Sequence, residues 1–385
     1  MTEPRETFHT QFAHFGGPEA PFRFRSGESL PGITVAYETY GTLNASASNA
    51  VLLFHGLTAS QHAAGWNPEV PGVGSLWTAD CQTGWWEKFI GPGKALDTNK
   101  FYIICANYLG GCYGTSGPTS TDPATGKPYG SRFPTVWIPD IVDSQVMLLD
   151  HLGIRKLHAV VGASLGGMMC LSLATRYPDR VSIVVPVATG LRTTPLQRVH
   201  NFEQIVAIVR DPNFRGGDYY DGAPPLAGLG LARMIGHKTF ISLHTIMERA
   251  RGDVEKTDLS WYRLSNPVES YMNRQASKFV SRFDANTYIR LMDAWQRYDL
   301  QGDLGAASMP EVFAHCRHQT YMVFSINSDV CFYPAEQEEI IHALKIAKVP
   351  NMHITVHSDK GHDAFLLEPG AFTPHLVYTL GEPEG

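Results

Sequence analysis

Six short, unbroken apolar runs recur along this chain with helical patterns between them, and no other feature restricts its fold as tightly. They are Ala50–His55 (AVLLFH), Phe101–Asn107 (FYIICAN), His158–Ala163 (HAVVGA), Val181–Val187 (VSIVVPV), Thr320–Ile326 (TYMVFSI) and Met352–His357 (MHITVH). Such continuous, β-branched runs are those of parallel strands covered by helices on both faces. Ile141–Leu152 is apolar at 141, 142, 146, 148, 149 and 152, a helical spacing that Gly153 brings to an end. Leu165–Tyr177 reads as a second helix, closed by Pro178. Strand–helix alternation of this kind predicts an α/β fold with a mostly parallel, doubly wound sheet. Near the N-terminus, Phe22–Arg25 and Ile33–Thr39 predict an antiparallel edge hairpin.

The middle of the chain changes character. From about Arg192 to Leu300 strand-like runs almost vanish, and Asn201–Val209, Gly228–Ile235 and Ala285–Tyr298 read as helices separated by loops such as Gly216–Pro225. The expected organisation is one discontinuous α/β domain, residues 1–188 and 301–385, interrupted by a helical lid over 189–300. The first dozen residues and the tail Gly381–Gly385 are expected to be disordered.

Composition narrows the function. A net charge of −6 argues against a nucleic-acid binder, which would show a basic face. No apolar run reaches the roughly 18 residues of a membrane span, and the N-terminus MTEPRETFHTQF lacks the pattern of a secretion signal. The six cysteines are scattered singly, with Cys105 and Cys170 inside apolar runs as small core residues. A reducing, cytoplasmic setting is expected. Sixteen histidines include no H-E-x-x-H and no cysteine partners at ligand spacing, so no metal site is expected.

Between the strand at 158–163 and the helix at 165–177 lies Gly162-Ala163-Ser164-Leu165-Gly166, a G-x-S-x-G pattern in the strand–turn–helix setting of a nucleophile elbow. A serine on so tight a turn tolerates only very small neighbours two residues either side. The turn lifts its hydroxyl above the sheet and aims the first helical amides at a developing oxyanion. In such sheets the partners follow in the order carboxylate, then histidine, at the C-terminal ends of later strands. Asp329 follows the strand Thr320–Ile326, and His362 follows Met352–His357. His353 and His357 sit in the strand, Asp363 is adjacent to the histidine it would have to orient, and Glu336 is too far into the following helix. The reading is Ser164 as nucleophile, His362 as base and Asp329 as the orienting carboxylate of an α/β-hydrolase fold. The oxyanion donors are the amide of Leu165 and one from His55-Gly56-Leu57-Thr58, through Leu57. Acyl transfer from an ester or thioester follows. The triad by itself does not separate a transferase from an ester hydrolase.

Longer segments are more specific. Val35–Asn44 (VAYETYGTLN), Asn107–Pro118 (NYLGGCYGTSGP), Gly126–Gly130 (GKPYG), Gly217–Gly222 (GDYYDG), Gly230–Met234 (GLARM), Val268–Tyr271 (VESY) and Lys278–Tyr288 (KFVSRFDANTY) together resemble the homoserine O-acetyltransferase family over nearly the whole chain. The resemblance implies a ping-pong mechanism in which acetyl-CoA, or another acyl-CoA such as succinyl-CoA, acylates Ser164 and an amino-acid hydroxyl removes the acyl group. It implies no permanently bound cofactor and a lid that narrows a tunnel. Arg233 corresponds to the family's carboxylate-binding arginine and Asp363 to the acid that meets the amino group. It is also consistent with a homodimer paired through lid residues such as Leu226, Leu229 and Leu231. The chain departs from the family at Ala163, at Ile205 in the first lid helix and at Glu248–Gly252; the lid changes are expected to surround the acyl and acceptor pocket.

Overall fold

The computed structural model describes residues 6–252, 254, 258, 259 and 262–383. Its strands are β1 (Gln11–Gly16), β2 (Phe22–Arg23), β3 (Ser29–Leu30), β4 (Gly32–Tyr40), β5 (Ala50–Phe54), β6 (Tyr102–Ala106), β7 (Leu157–Ala163), β8 (Val181–Val187), β9 (Asp258–Leu259), β10 (Tyr262–Arg263), β11 (Thr320–Ile326) and β12 (Asn351–Val356). Eight of them form one sheet in the order β1-β4-β6-β5-β7-β8-β11-β12. From β6 to β12 every neighbour is parallel, while β1 and β4 are antiparallel at one edge. All six apolar runs are therefore strands, within a residue or two of their expected limits.

Alternation along those strands sorts the core into two layers. On β5, Leu52 and Phe54 join one apolar cluster and Val51 and Leu53 the other. The first is covered by α1 (Ile138–His151) and α2 (Leu165–Arg176), through residues such as Leu148, Leu149 and Leu171. The sheet is buried on both faces, which explains why its strands read as continuous rather than alternating.

The edge differs from expectation. Gly32–Tyr40 pairs with Gln11–Gly16, and Phe22–Arg23 makes only a two-residue ladder with Ser29–Leu30. The half-exposed QFAHFG strand carries too weak an alternation to be recognised alone. The N-terminal dozen is correspondingly ordered from residue 6: Phe8 N–H donates to Trp66 O, and Thr10 Oγ1 donates to buried Glu38. Residues 1–5 lie outside the described residues. At the other end, Glu382 pairs with Lys100, and residues 384 and 385 lie outside the described residues.

Between β8 and β11 the chain forms α3 (Pro195–Val209), α4 (Leu226–Phe240), α5 (Leu243–Arg249), α6 (Pro267–Val280), α7 (Ala285–Arg297), α8 (Leu300–Leu304) and α9 (Met309–Val312). Thr194 caps α3 in a reciprocal box with Gln197, which fixes its start. On α7 the buried Tyr288, Leu291, Met292 and Trp295 repeat at i, i+3, i+4 and i+7, giving one core-facing stripe. Leu229 is only 2% exposed and packs in the core, so it is unavailable for subunit pairing; Leu226 and Leu231, on other faces of α4, remain open at 46% and 47%. The chain ends with α10 (Pro334–Ala347), α11 (Ala364–Leu367) and α12 (Pro369–Leu380).

Candidate active site

Because β5, β7, β11 and β12 run in one direction, the segments that follow them gather on one rim of the sheet. Ser164 follows β7 with φ 59° and ψ −125°, a strained left-handed-side backbone for a non-glycine residue. Its small neighbours make the turn possible. A Cβ on Gly166 would lie 2.3 Å from Phe54 O, and one on Gly162 would lie 2.4 Å from Gly166 O. Leu165 is the first residue of α2, so its amide is among the first-turn donors that have no partner within a helix.

Asp329 is buried after β11. Its Oδ1 accepts from the amides of Cys331 (2.8 Å) and Phe332 (2.9 Å), and its Oδ2 lies 2.6 Å from His362 Nδ1. These amides fix which carboxylate oxygen faces the imidazole. His362 Nε2 is buried without a hydrogen bond, and His362 and Ser164 line the same cavity. Burial opposes the charged imidazolium, but the carboxylates of Asp329, Asp363 and Glu336 outweigh it and raise the His362 pKa above its ordinary value.

Leu57 lies in the loop after β5, within a turn closed by Ala59 N–H donating to Gly56 O (3.2 Å). The His55 ring places Nδ1 2.7 Å from the same Gly56 oxygen and stacks on Tyr108 at 3.7 Å. Since a carbonyl only accepts, Nδ1 carries the proton. Burial holds this imidazole neutral by pushing its pKa down to about 4. Gly56 C=O and Leu57 N–H belong to one peptide plane, so this bond also sets the direction of the Leu57 amide.

The cavity holds about 470 Å³ and is lined by Leu57, Ser164, Arg233, Asp363 and His362, with Phe240, Phe279, Trp295, Lys278 and Arg282 among its walls. Arg233 rises from α4 with its guanidinium 5.5 Å from the Phe240 ring centre and 5.0 Å from that of Phe279. Its Nε is buried without a partner. Burial, reinforced by Arg282, disfavours its charge, and burial likewise raises the Asp363 pKa against the pull of His362 and Arg233. An arginine and a carboxylate thus face one chamber without a direct ion pair among the described residues. Among the described residues no cluster of His, Cys, Asp or Glu is suited to hold a metal ion.

Several participants were not legible beforehand. Glu336, set aside as too far along its helix, is buried in the first turn of α10, and burial pushes its pKa up to about 7. Gln197 on α3 donates to Cys331 O (2.8 Å) and to Glu336, tying the inserted helices to the loop that holds Asp329. Asp363 N–H donates to Phe240 O (2.8 Å), and Ser242 bonds to Asp359 and Lys360, tying them to the loop of His362. Phe279 and Arg282 fell within the KFVSRFDANTY segment, but nothing in their spacing marked them as cavity walls. Conversely, Ile205 and Glu248–Gly252 are not part of the cavity wall, and of the altered segment Arg249 acts on the site only through its charge, which favours the ionised form of Asp363. The rival His353 instead meets Ser325 Oγ at 2.6 Å on the sheet.

Fold, elbow and cavity define a member of the α/β-hydrolase superfamily, and a family model described as alpha/beta hydrolase fold matches residues 49–369. A homoserine O-acetyltransferase of Solidesulfovibrio magneticus is 41% identical over 352 residues, covering 91% of this chain and 86% of that protein. The chain belongs to the homoserine O-acetyltransferase family, whose members are acyltransferase enzymes. The crystal structure of the Bacillus anthracis homoserine O-acetyltransferase superposes with a TM-score of 0.84 at 26% identity, covering 98% and 99% of the two chains. Esterase E22 also reaches 0.84, at 27% identity over 97% and 100%.

Proposed function

We propose that this chain moves an acetyl (or succinyl) group from its CoA thioester to the hydroxyl of homoserine through an acyl-Ser164 intermediate, with His362 as base and Asp329 orienting it. The observation that carries this reading is the shared chamber, in which an arginine and a carboxylate stand beside the nucleophile. A zwitterionic amino acid needs such a pair: Arg233 for its carboxylate, through two parallel hydrogen bonds, and Asp363 for its ammonium.

In the first half-reaction His362 Nε2 takes the Ser164 proton as Oγ attacks the thioester carbonyl. The Leu57 and Leu165 amides receive the oxyanion. The C–S bond breaks, the proton passes to the sulfur, and CoA departs as thiol. In the second half-reaction the homoserine hydroxyl gives its proton to His362 and attacks the acyl carbonyl. Collapse of the second intermediate breaks the bond to Ser164, which recovers the proton. Residues 189–300 act as the lid, excluding water so that a positioned hydroxyl can outcompete it. The exposed Leu226 and Leu231 on α4 support a homodimer paired through the lid. CoA chemistry and unpaired thiols suit a cytoplasmic setting.

The likeness to an esterase favours a second reading, an ester hydrolase. Purified protein given acetyl-CoA separates the two. A transferase releases CoA much faster when homoserine is added, with O-acetylhomoserine formed. Equal release with and without homoserine contradicts transfer, and acceptor-independent cleavage of p-nitrophenyl acetate establishes the hydrolase.

A further inference from the structure

The loops that present Asp329 and His362 are both fastened to the inserted helices. Gln197 holds the Asp329 loop, and Phe240 and Ser242 hold the His362 loop. The oxyanion turn Gly56–Ala59 has such a tie as well. Arg282, at the corner between α6 and α7, donates from Nη1 to Thr58 O at 3.0 Å. The same nitrogen donates to Tyr113 Oη at 3.3 Å, while the Tyr113 hydroxyl donates back to Arg282 O at 2.5 Å. The guanidinium also stands 5.4 Å from the centre of the Phe279 ring.

Three facts give this contact more weight than a surface hydrogen bond. Arg282 has no carboxylate within ion-pair distance among the described residues, so its charge is directed at a carbonyl and a phenol. It lies in the wall of the Ser164 cavity, where the low dielectric strengthens a charge-assisted bond. It holds the peptide that closes the turn. Thr58 C=O and Ala59 N–H belong to one peptide plane; the N–H makes a 3.2 Å bond to Gly56 O, which His55 Nδ1 also fixes, and the Arg282 bond to the carbonyl holds that plane from its other side. A turn anchored at both ends keeps the intervening Leu57 amide on one heading.

We propose that Arg282 is a positioning residue for acyl transfer: from the lid it clamps the Thr58 carbonyl and so holds the Leu57 amide where the oxyanion forms. This rests on the assignment of Leu57 and Ser164 given above, but not on the identity of donor or acceptor. Preorganised donors accelerate only to the extent that they need not move when charge develops. Removing one oxyanion donor outright costs about 10²–10³ in kcat, so loosening one is expected to cost about 10- to 100-fold.

The test uses Arg282→Met and Tyr113→Phe in the full-length protein, with three readouts. Turnover is measured with acetyl-CoA and homoserine, and hydrolysis with p-nitrophenyl acetate. The rate at which a fluorophosphonate labels Ser164 is measured in the absence of any substrate. Expected for Arg282→Met is a fall of about 10- to 100-fold in kcat and in labelling rate, with KM for acetyl-CoA within about threefold of the parent. Tyr113→Phe gives a smaller loss of the same pattern and keeps the experiment decisive should Arg282→Met fold poorly. Arg282→Ala regains labelling rate when millimolar guanidinium is supplied. Labelling within twofold of the parent in a normally folded Arg282→Met overturns the proposal. So does a rise in KM for acetyl-CoA with kcat intact, since Arg282 would then be binding the donor. If homoserine and CoA are the wrong substrates, the labelling loss persists while the transfer assay is silent, so the two failures are distinguishable.

Discussion

Replacing Asp329 by asparagine separates the charge and tautomer role of this residue from its shape. The Cys331 and Phe332 amides donate at 2.8 and 2.9 Å and need an oxygen to receive them, so the asparagine must keep its carbonyl there and turn its NH₂ towards His362. That NH₂ stands where Oδ2 now lies, 2.6 Å from Nδ1. Two donors cannot face each other, so Nδ1 gives up its proton and Nε2 carries it instead. The imidazole then presents N–H rather than a lone pair to Ser164, and no base is available. A comparable loss of tautomer control costs about 10⁴-fold in turnover, equivalent to about 5.5 kcal/mol of barrier. The variant should fold, because both amide bonds survive. The assay is single-turnover acylation, reading CoA release from acetyl-CoA and enzyme without acceptor. A tenfold loss or less, with a normal melting profile, would refute the argument that Asp329 sets the tautomer.

The remaining predictions concern the acceptor, the elbow and pH. Arg233→Lys keeps the charge but loses the planar fork, and the KM for homoserine should rise about 10- to 100-fold, as expected for about 1.5–3 kcal/mol of charge-assisted bonding; an unchanged KM would remove Arg233 from the acceptor site. Gly166→Ala drives a methyl group to 2.3 Å from Phe54 O, and since that neighbour is strand backbone the fold should lose about 1–3 kcal/mol or more in denaturant titration. The base must be neutral and its pKa is raised, so kcat/KM should fall with decreasing pH from a point above the ordinary histidine value of 6.5; a limb below that value contradicts the assignment. Glu336 holds its proton to about pH 7 in the folded chain but only to 4.5 when unfolded, so the fold loses stability as pH rises through that window, by about 3 kcal/mol. Relative to the parent, Glu336→Gln should show a flatter stability curve between those pH values.

The fold was legible where burial on both sheet faces writes an uninterrupted apolar run, as in Ala50–Phe54 and Thr320–Ile326. It was obscure at the edge, where Gln11–Gly16 is half exposed and its partner Gly32–Tyr40 pairs antiparallel with two different strands. At the site, Ser164 was readable because a strained turn demands glycines at fixed offsets, and Asp329 and His362 because strand ends collect on one rim. Arg282, Gln197 and Glu336 were not readable. Their roles come from contacts across 224, 134 and 139 residues of chain, and no local spacing encodes those. Leu229 shows the converse error: an apolar residue on an inserted helix is as readily a core residue as a surface one, and only its helical phase decides.

A covalent acyl group passing through Ser164 is the central event of the proposed transfer, and mass spectrometry of the protein after brief exposure to acetyl-CoA measures it most directly. The predicted result is a single acetyl adduct on the peptide carrying Ser164, stable for many turnovers in water and discharged at once by homoserine with O-acetylhomoserine as the product. An unmodified serine during turnover, or an adduct that water removes as fast as homoserine does, would contradict it.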